Sequence, residues 1–470
     1  MTFVQTEFLW FFTALFAVYW AISNRTAQNL LLAVASAAFY GWVHPWFLIL
    51  LYATAGLDYV TSIQMEDRPQ HRKLWLWISM IGNIGMLAYF KYCDFFIENV
   101  AGILDLAGVH HSVKPLGILL PAGISFYTFQ SMAYTIDVYR KEMKASRNLL
   151  EYMLAVSFFA HLVAGPVQRA SNLLMQAQTQ RVFSWDRFRT GLGMALWGAF
   201  KKVVIADTVA SYVDKIFLLQ EPSGAMIWAA TLGFTVQIYA DFSGYTDIAR
   251  GVARMLGWDL MENFKLPYIA QNPSDFWRRW HISFSSWIRD YIYISLGGSR
   301  GGAWAQTRAL WTAMLISGLW HGASWTFVLW GAYHAALQSG YRITRKWVPA
   351  ALQRDTFLNN VWGGLVMFGF TVVGWLIFRE TDIHRLLHFL TSSPLEGDEL
   401  QRRAAFVMLT VTGLTALPLV LEAVVVLYVL PRIRERAWFF PVETSAWAVF
   451  ALGIFTFIRM TASDFIYFQF

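Results

Sequence analysis

The residues best suited to chemistry are two Trp-His pairs, Trp280-His281 and Trp320-His321, forty positions apart. An imidazole titrates near neutral pH and can take or give a proton at either nitrogen, so histidine is the side chain most used as a general base. The first pair lies in Asp275-Phe276-Trp277-Arg278-Arg279-Trp280-His281-Ile282-Ser283, a cationic and aromatic run too polar to cross a bilayer by itself. The second lies in Ser317-Gly318-Leu319-Trp320-His321-Gly322-Ala323, inside an otherwise apolar run. An ionisable group within a membrane span is costly unless it faces a polar route, which makes His321 the leading candidate for the reacting base. The competing reading is a histidine that bonds a neighbouring carbonyl and only packs helices. Gly318 and Gly322 are expected to leave room for another backbone or a slim substrate, and Trp320 and Trp325 to wall an apolar tunnel.

Two readings of His281 stay open. In one, Trp and Arg anchor an interfacial segment at the bilayer surface. In the other, Arg278 and Arg279 receive an anionic group, such as a coenzyme phosphate or a phosphopantetheine, beside Trp277 and Trp280, while His281 positions the acyl or acceptor group. His334, if it continues the helix of His321, falls at about 220° around the axis and roughly 20 Å along it, and is not expected to share a centre with His321. Asp241, Asp247 and Arg250 read either as an ion-pair network or as the polar lining of a route, with Asp241, Tyr245 and Trp320 the tunnel-lining candidates. Gly297-Gly298-Ser299-Arg300-Gly301-Gly302 is a glycine-rich turn without the Lys and following helix of a nucleotide loop. No metal-ligand spacing and no serine or cysteine nucleophile setting is seen, so no metal is expected.

The elements that must position these residues are membrane helices. Of the 470 residues, 57% are hydrophobic, 17% aromatic and only 14% charged, which is not a soluble composition. Apolar runs of about 17–25 residues recur from end to end, the length needed to cross a hydrocarbon core of about 30 Å. Backbone groups in hydrocarbon must be satisfied within their own segment, so the spans are helices. The sequence therefore predicts an all-α polytopic membrane protein of about eleven spans with re-entrant or interfacial helices, one domain over 1–470 with its catalytic core in 119–334. The net charge of +7 does not point to nucleic acid, because the basic residues sit in short loops between spans. That distribution puts those loops in the cytoplasm.

Spans over about 8–22, 29–43 and 46–63 lead to the basic loop at 66–73, so the N-terminus is expected outside. The segment from Glu7 to Ile22 reads as a retained span rather than a removed signal. A fourth span over 74–97 leads to an outer loop, 98–114, poor in Lys and Arg. Pro121 and Gly123 interrupt the helix that returns inward to the basic 139–144. The stretches 149–218 and 254–308 are of uncertain depth: 151–164 is marginally long, 188–217 is broken by Lys201-Lys202 and Asp207, and 254–308 mixes aromatics with charge. A span is expected over 225–240, another over 310–337 carrying both His321 and His334, and three more over 362–378, 404–430 and 446–460, which leaves the C-terminus outside. The lone cysteine, Cys93, allows no internal disulfide. No internal repeat or low-complexity linker stands out.

Several stretches together resemble the membrane-bound O-acyltransferases, in the bacterial branch that includes alginate O-acetyltransferase and the D-alanyl transferase of teichoic acids. They are Leu120-Pro121-Ala122-Gly123-Ile124-Ser125-Phe126-Tyr127-Thr128-Phe129-Gln130, Asp241 to Arg250, Glu262-Asn263-Phe264, Asp275 to Ser283, Arg289 to Ile294, Ser317 to Ala323 and the ending Phe465 to Phe470. Val163-Ala164-Gly165-Pro166-Val167 departs from the family's Ala-Gly-Pro-Ile pattern by one Val for Ile.

The resemblance implies a bundle enclosing a tunnel, with the family's invariant histidine at His321 and its second signature polar residue at His281. It further implies a bacterial inner-membrane location and a cytoplasmic acyl thioester donor, most simply acetyl-coenzyme A, with no resident cofactor. The acceptor implied is a hydroxyl of an exported polysaccharide such as alginate, reached directly or through a periplasmic acetyltransferase partner. D-alanyl transfer from a carrier to teichoic acid, and a non-enzymatic transporter with His321 as proton relay, are the alternatives.

Overall fold

The computed structural model describes residues 1–163, 165–347, 356–433 and 439–458. The ending Phe465 to Phe470, expected outside the membrane, Ala164 of the Val163 to Arg169 motif, and the last residues of the span expected over 446–460 lie outside the described residues. Every regular element among the described residues is helical. The chain is an all-α polytopic membrane protein: four helices, Phe47–Asp67, Phe357–Arg379, Glu399–Ile433 and Phe439–Phe457, are long and apolar enough to cross a bilayer.

The helices gather into two compact units, Met1–Leu192 with Ala249–Met261, and Gly193–Ile248 with the described part of Glu262–Phe470. The first contains α1 (Thr6–Ala21), α2 (Arg25–Tyr40), α3 (Phe47–Asp67), α4 (Arg72–Leu87), α5 (Cys93–Leu106), α6 (Ile124–Arg140), α7 (Leu149–Ser157), α8 (Phe159–Leu162), α9 (Ala170–Gln178) and the first half of α10 (Trp185–Phe200). Helix α6 is buried along nearly its whole length and forms the centre of this unit. It starts at Gly123, whose φ of 74° suits glycine and whose missing Cβ would lie 2.5 Å from the Leu162 carbonyl oxygen. Buried polar side chains within the unit bond one another, as an apolar surround requires. Asp58 on α3 accepts from Ser79 Oγ at 2.5 Å and from Asn83 Nδ2 at 2.9 and 3.0 Å on α4. Gln130 on α6 faces the His161 Nε2 at 2.8 Å and donates to the Ala155 carbonyl at 2.7 Å.

The second unit holds α11 (Asp207–Phe217), most of α12 (Gly224–Met255), α13 (Pro273–Arg279), α14 (Ile282–Trp287), α15 (Gly302–His321), α16 (Trp325–Thr344), α17 (Phe357–Arg379), α18 (Ile383–Thr391), α19 (Glu399–Val424), α20 (Leu430–Ile433) and α21 (Phe439–Phe457). Between α10 and α11 the chain winds a π-helical turn, Lys201–Ala206, the wider coil that often marks functional stretches of helix. Lys202 from this turn bridges Asp207 and Asp241, at 2.8 Å each, and Lys201 meets Asp247 at 2.6 Å. These pairs let α12 run on as one helix of 32 residues. The span expected over 225–240 therefore does not stop at Asp241, because the carboxylate finds its cation on a neighbouring turn.

A second expectation is also corrected. The apolar run 310–337 is two helices, not one, broken at Gly322-Ala323-Ser324. Ser324 caps α16 by accepting from the Thr326 backbone N–H at 3.3 Å. The helices then pack back on each other at contact distance, for a Cβ at Gly318 would sit 2.1 Å from the Phe327 carbonyl oxygen and one at Gly331 2.3 Å from that of Met314. The space beside Gly322 is filled as well, by the Phe327 ring. Those glycines serve backbone approach, and no slim substrate fits beside them.

Candidate active site

His281 is set by a short break in the helical run. Asn272 caps α13 by accepting from the Asp275 backbone N–H at 2.9 Å, with Pro273 in the first turn, and α13 ends after seven residues. His281 then takes the left-handed conformation, with φ 43° and ψ 52°, before α14 begins. That conformation is uncommon away from glycine and asparagine and costs free energy, so the surroundings must hold it. Asn263 does so. Its carbonyl accepts from the Ile282 N–H at 2.9 Å, and its side-chain oxygen accepts from the Ser283 N–H at 3.3 Å and the Ser283 hydroxyl at 2.8 Å.

The His281 ring is fully buried, and neither ring nitrogen has a hydrogen-bond partner among the described residues. Phe242 meets it edge-on at 4.7 Å and Phe284 stacks on it at 4.9 Å. Burial in this apolar box pushes its pKa down from 6.5 to about 3. A buried polar ring with two idle nitrogens is a costly arrangement for packing alone.

His321 is the last residue of α15 and is 4% exposed. Its ring centroid lies 6.5 Å from that of His281, so the two Trp-His motifs meet in one place although forty residues separate them. Trp320 flanks the pair in contact with both, at 5.0 Å from His321 and 5.9 Å from His281. His334 lies one ring further out, across Trp330 from His321. The turn at 322–324 folds α16 back, so Trp330 touches both His321, at 4.9 Å, and His334, at 4.6 Å.

A cavity of about 840 Å³ opens beside this cluster, within the size range of small-molecule sites. Its lining includes Arg278, Arg289, Arg342, Arg345 and Lys346 and, among the described residues, no Asp or Glu. The same lining reaches Phe284, which touches both histidines, and Ser317, one helical turn before His321 on the same face of α15. Cationic side chains and the Phe284 ring thus line one cavity next to the histidine pair.

The other expected site residues divide. Trp277 and Arg278 line the cavity. Arg279 instead bonds Asp275 Oδ1 at 3.0 Å and the Lys265 carbonyl at 3.2 Å, and Trp280 is buried between Phe276 and Trp375, with ring centroids 5.8 and 4.6 Å away. Neither lines the cavity. Asp241 is the buried partner of Lys202, and Tyr245 is buried one turn further along α12. Sequence reasoning gave no site role to Asn263, Phe284, Arg289, His334, Arg342, Arg345 or Lys346. Among the described residues no group of three or more His, Cys, Asp or Glu is arranged to hold a metal ion.

Residues 140–379 match the membrane-bound O-acyltransferase family. The probable alginate O-acetylase AlgI of Pseudomonas syringae pv. tomato is 40% identical over 392 residues, covering 82% of this chain and 73% of that protein. The peptidoglycan O-acetyltransferase of Helicobacter pylori is 33% identical over 78% of this chain and 74% of its own length. The teichoic acid D-alanyltransferase of Bacillus subtilis is 26% identical over 62% and 75% respectively. With the family match, these relatives and the all-helical architecture in agreement, the chain belongs to the membrane-bound O-acyltransferases, in their alginate O-acetylase-like branch.

Proposed function

We propose that this O-acyltransferase moves an acetyl group from cytoplasmic acetyl-coenzyme A to a hydroxyl of an exported polysaccharide, directly or through a periplasmic acetyltransferase partner. The observation that carries the donor is the cavity whose described lining holds five cations, two of them paired with Asp275 and Asp290 outside it, together with Phe284, the ring that touches His321. A free coenzyme A thioester presents several phosphate charges, which Arg and Lys at the mouth bind well. A carrier-borne phosphopantetheine presents a single phosphodiester, so the number of cations favours the free coenzyme over D-alanyl transfer from a carrier. Relatives named for alginate and peptidoglycan O-acetylation support a polysaccharide acceptor, alginate first.

In this reading His321 takes the proton of the acceptor hydroxyl as its oxygen adds to the thioester carbonyl carbon. The C–S bond then breaks, and the imidazolium returns the proton to the departing thiolate. His281, kept neutral by burial, donates one N–H to the carbonyl oxygen as charge develops there, the kind of preorganised donor that stabilises such a centre. Asn263 acts as a positioning residue through the turn it holds. About eleven crossings, a tunnel between the two membrane faces, an inner-membrane location, outward-facing termini and a catalytic core within 119–334 complete the proposal. Asp241 and Tyr245 contribute to the polar lining of that route.

General-base catalysis is worth about 10²–10⁴-fold, so H321A is expected to lower acetyl-coenzyme A turnover by about that factor at unchanged expression. The check is thiol release by the purified full chain in nanodiscs, with its acceptor and partner supplied. Turnover of H321A equal to wild type sinks the role of His321. Turnover with an acyl carrier but not with acetyl-coenzyme A moves the chain to the D-alanyl reading.

A further inference from the structure

His321, next to the cationic cavity, is surrounded by rings. Trp330, Trp320, Phe378 and Phe284 face the imidazole with centroids 4.9, 5.0, 5.2 and 5.6 Å away. Of these four only Phe284 also lines the cavity. Its ring stacks on Trp320 at 4.2 Å and on His281 at 4.9 Å, so both Trp-His pairs hold it from behind. The far side of His321 has no slack. Phe378 abuts Trp330 at 5.5 Å and Phe327 at 4.9 Å, and the Phe327 ring already occupies the space beside Gly322.

We propose that Phe284 is the acyl-length selector of this enzyme: its ring end-stops the donor cavity against the two histidines and admits a two-carbon acyl group while excluding longer chains. The inference rests on the acyl-transfer reading above and adds to it the residue that sets the donor. In the step it governs, the ester C–O bond forms, the thioester C–S bond breaks, and the hydroxyl proton passes through His321 to the thiolate. No other reactant is consumed, so acyl length is decided by space alone. A close-fitting pocket discriminates by about 10–200-fold per methylene. Interiors packed to crystal density do not stretch to accept one more. Butyryl exceeds acetyl by two methylenes, and the rigid wall of Trp330 and Phe378 leaves the Phe284 side as the one that can be widened.

The test uses membrane vesicles from the cells that naturally carry the chain, so that acceptor and partner are present. The chromosomal copy is wild type, H321A, Phe284→Leu or Phe284→Ala. Free thiol is measured from acetyl- and from butyryl-coenzyme A, and the H321A rate is subtracted. Wild type is expected to favour acetyl by about 100-fold or more, with the preference reduced in Phe284→Leu and reduced to about tenfold or less in Phe284→Ala. The ratio of two donors on one protein cancels any loss of folded protein, and the Leu variant keeps an apolar side chain should Ala not fold.

An unchanged ratio in the variants, with acetyl turnover intact, overturns the selector. So does a wild type that uses both donors equally. Absence of His321-dependent thiol release from either donor in wild type is a different failure, of the acyl-transfer reading itself.

Discussion

A histidine is usually assigned to catalysis because its pKa lies near the working pH, and His281 departs from that pattern. Burial among Phe242, Phe284 and Trp320 holds it at about 3 against its ordinary 6.5, so at neutral pH its ring is uncharged. The linkage follows directly. As pH falls through 6.5 the unfolded chain takes up a proton at residue 281 that the folded chain refuses until about 3, so the folded state loses stability across that window. Asparagine tolerates the left-handed backbone and does not titrate. In H281N the thermal midpoint of the detergent-solubilised protein should therefore fall less between pH 7 and pH 5 than in wild type. Equal falls in both proteins would show that residue 281 is charged when folded. The two Trp-His motifs were legible as residue types in the sequence, and so was the cost of burying them. Their meeting at 6.5 Å was not, since nothing in local spacing reports a contact across forty positions.

At the scale of elements, the places where expectation and structure part are those where one segment compensates another. The polar run from Asp241 ended a predicted span because a lone carboxylate in hydrocarbon is costly. Its cation sits on the π-helical turn Lys201–Ala206, a partner no window of local sequence contains. Lys202 is 3% exposed and serves both Asp207 and Asp241. Breaking a buried pair by removing one partner costs about 3–5 kcal/mol, because the remaining charge stays buried. K202M should accordingly lower the thermal midpoint sharply, and adding D207N and D241N should recover most of the loss. A triple variant no more stable than K202M would mean the lysine is held for its shape and not its charge. The hairpin of α15 and α16 teaches the complementary lesson. Its break was written locally, as Gly-Ala-Ser with Ser324 as helix cap, but hydropathy averaged over a long apolar run erases three small residues. That averaging hid the turn that carries Trp330, with His334 four residues after it on the same helix, back to His321.

For the molecule as a whole, composition alone marks a multi-pass membrane protein, and charge in the loops adds a direction. Cytoplasmic loops carry the excess of Lys and Arg, and Arg342, Arg345 and Lys346 form a basic cluster at the end of α16 that also lines the cavity. The two facts meet in a single requirement: a cytoplasmic coenzyme thioester can reach the cavity only if that cluster faces the cytoplasm. Helix α17 then carries the chain to the opposite face, where Leu395, 83% exposed between α18 and α19, should meet the periplasm. Helix α19 and its continuation to Ile433 return it. The prediction is a labelling pattern. With Cys93 replaced by serine, L395C should react with a membrane-impermeant maleimide on intact spheroplasts, and K346C only after the membrane is opened. Labelling of K346C from outside would place the five cations on the wrong face for a cytoplasmic donor, and the acetyl-coenzyme A reading would fall even if His321 proved essential. Labelling in the expected order ties the basic cluster, the cavity and the donor to one side of the bilayer, and leaves the acceptor to approach the histidine pair from the other.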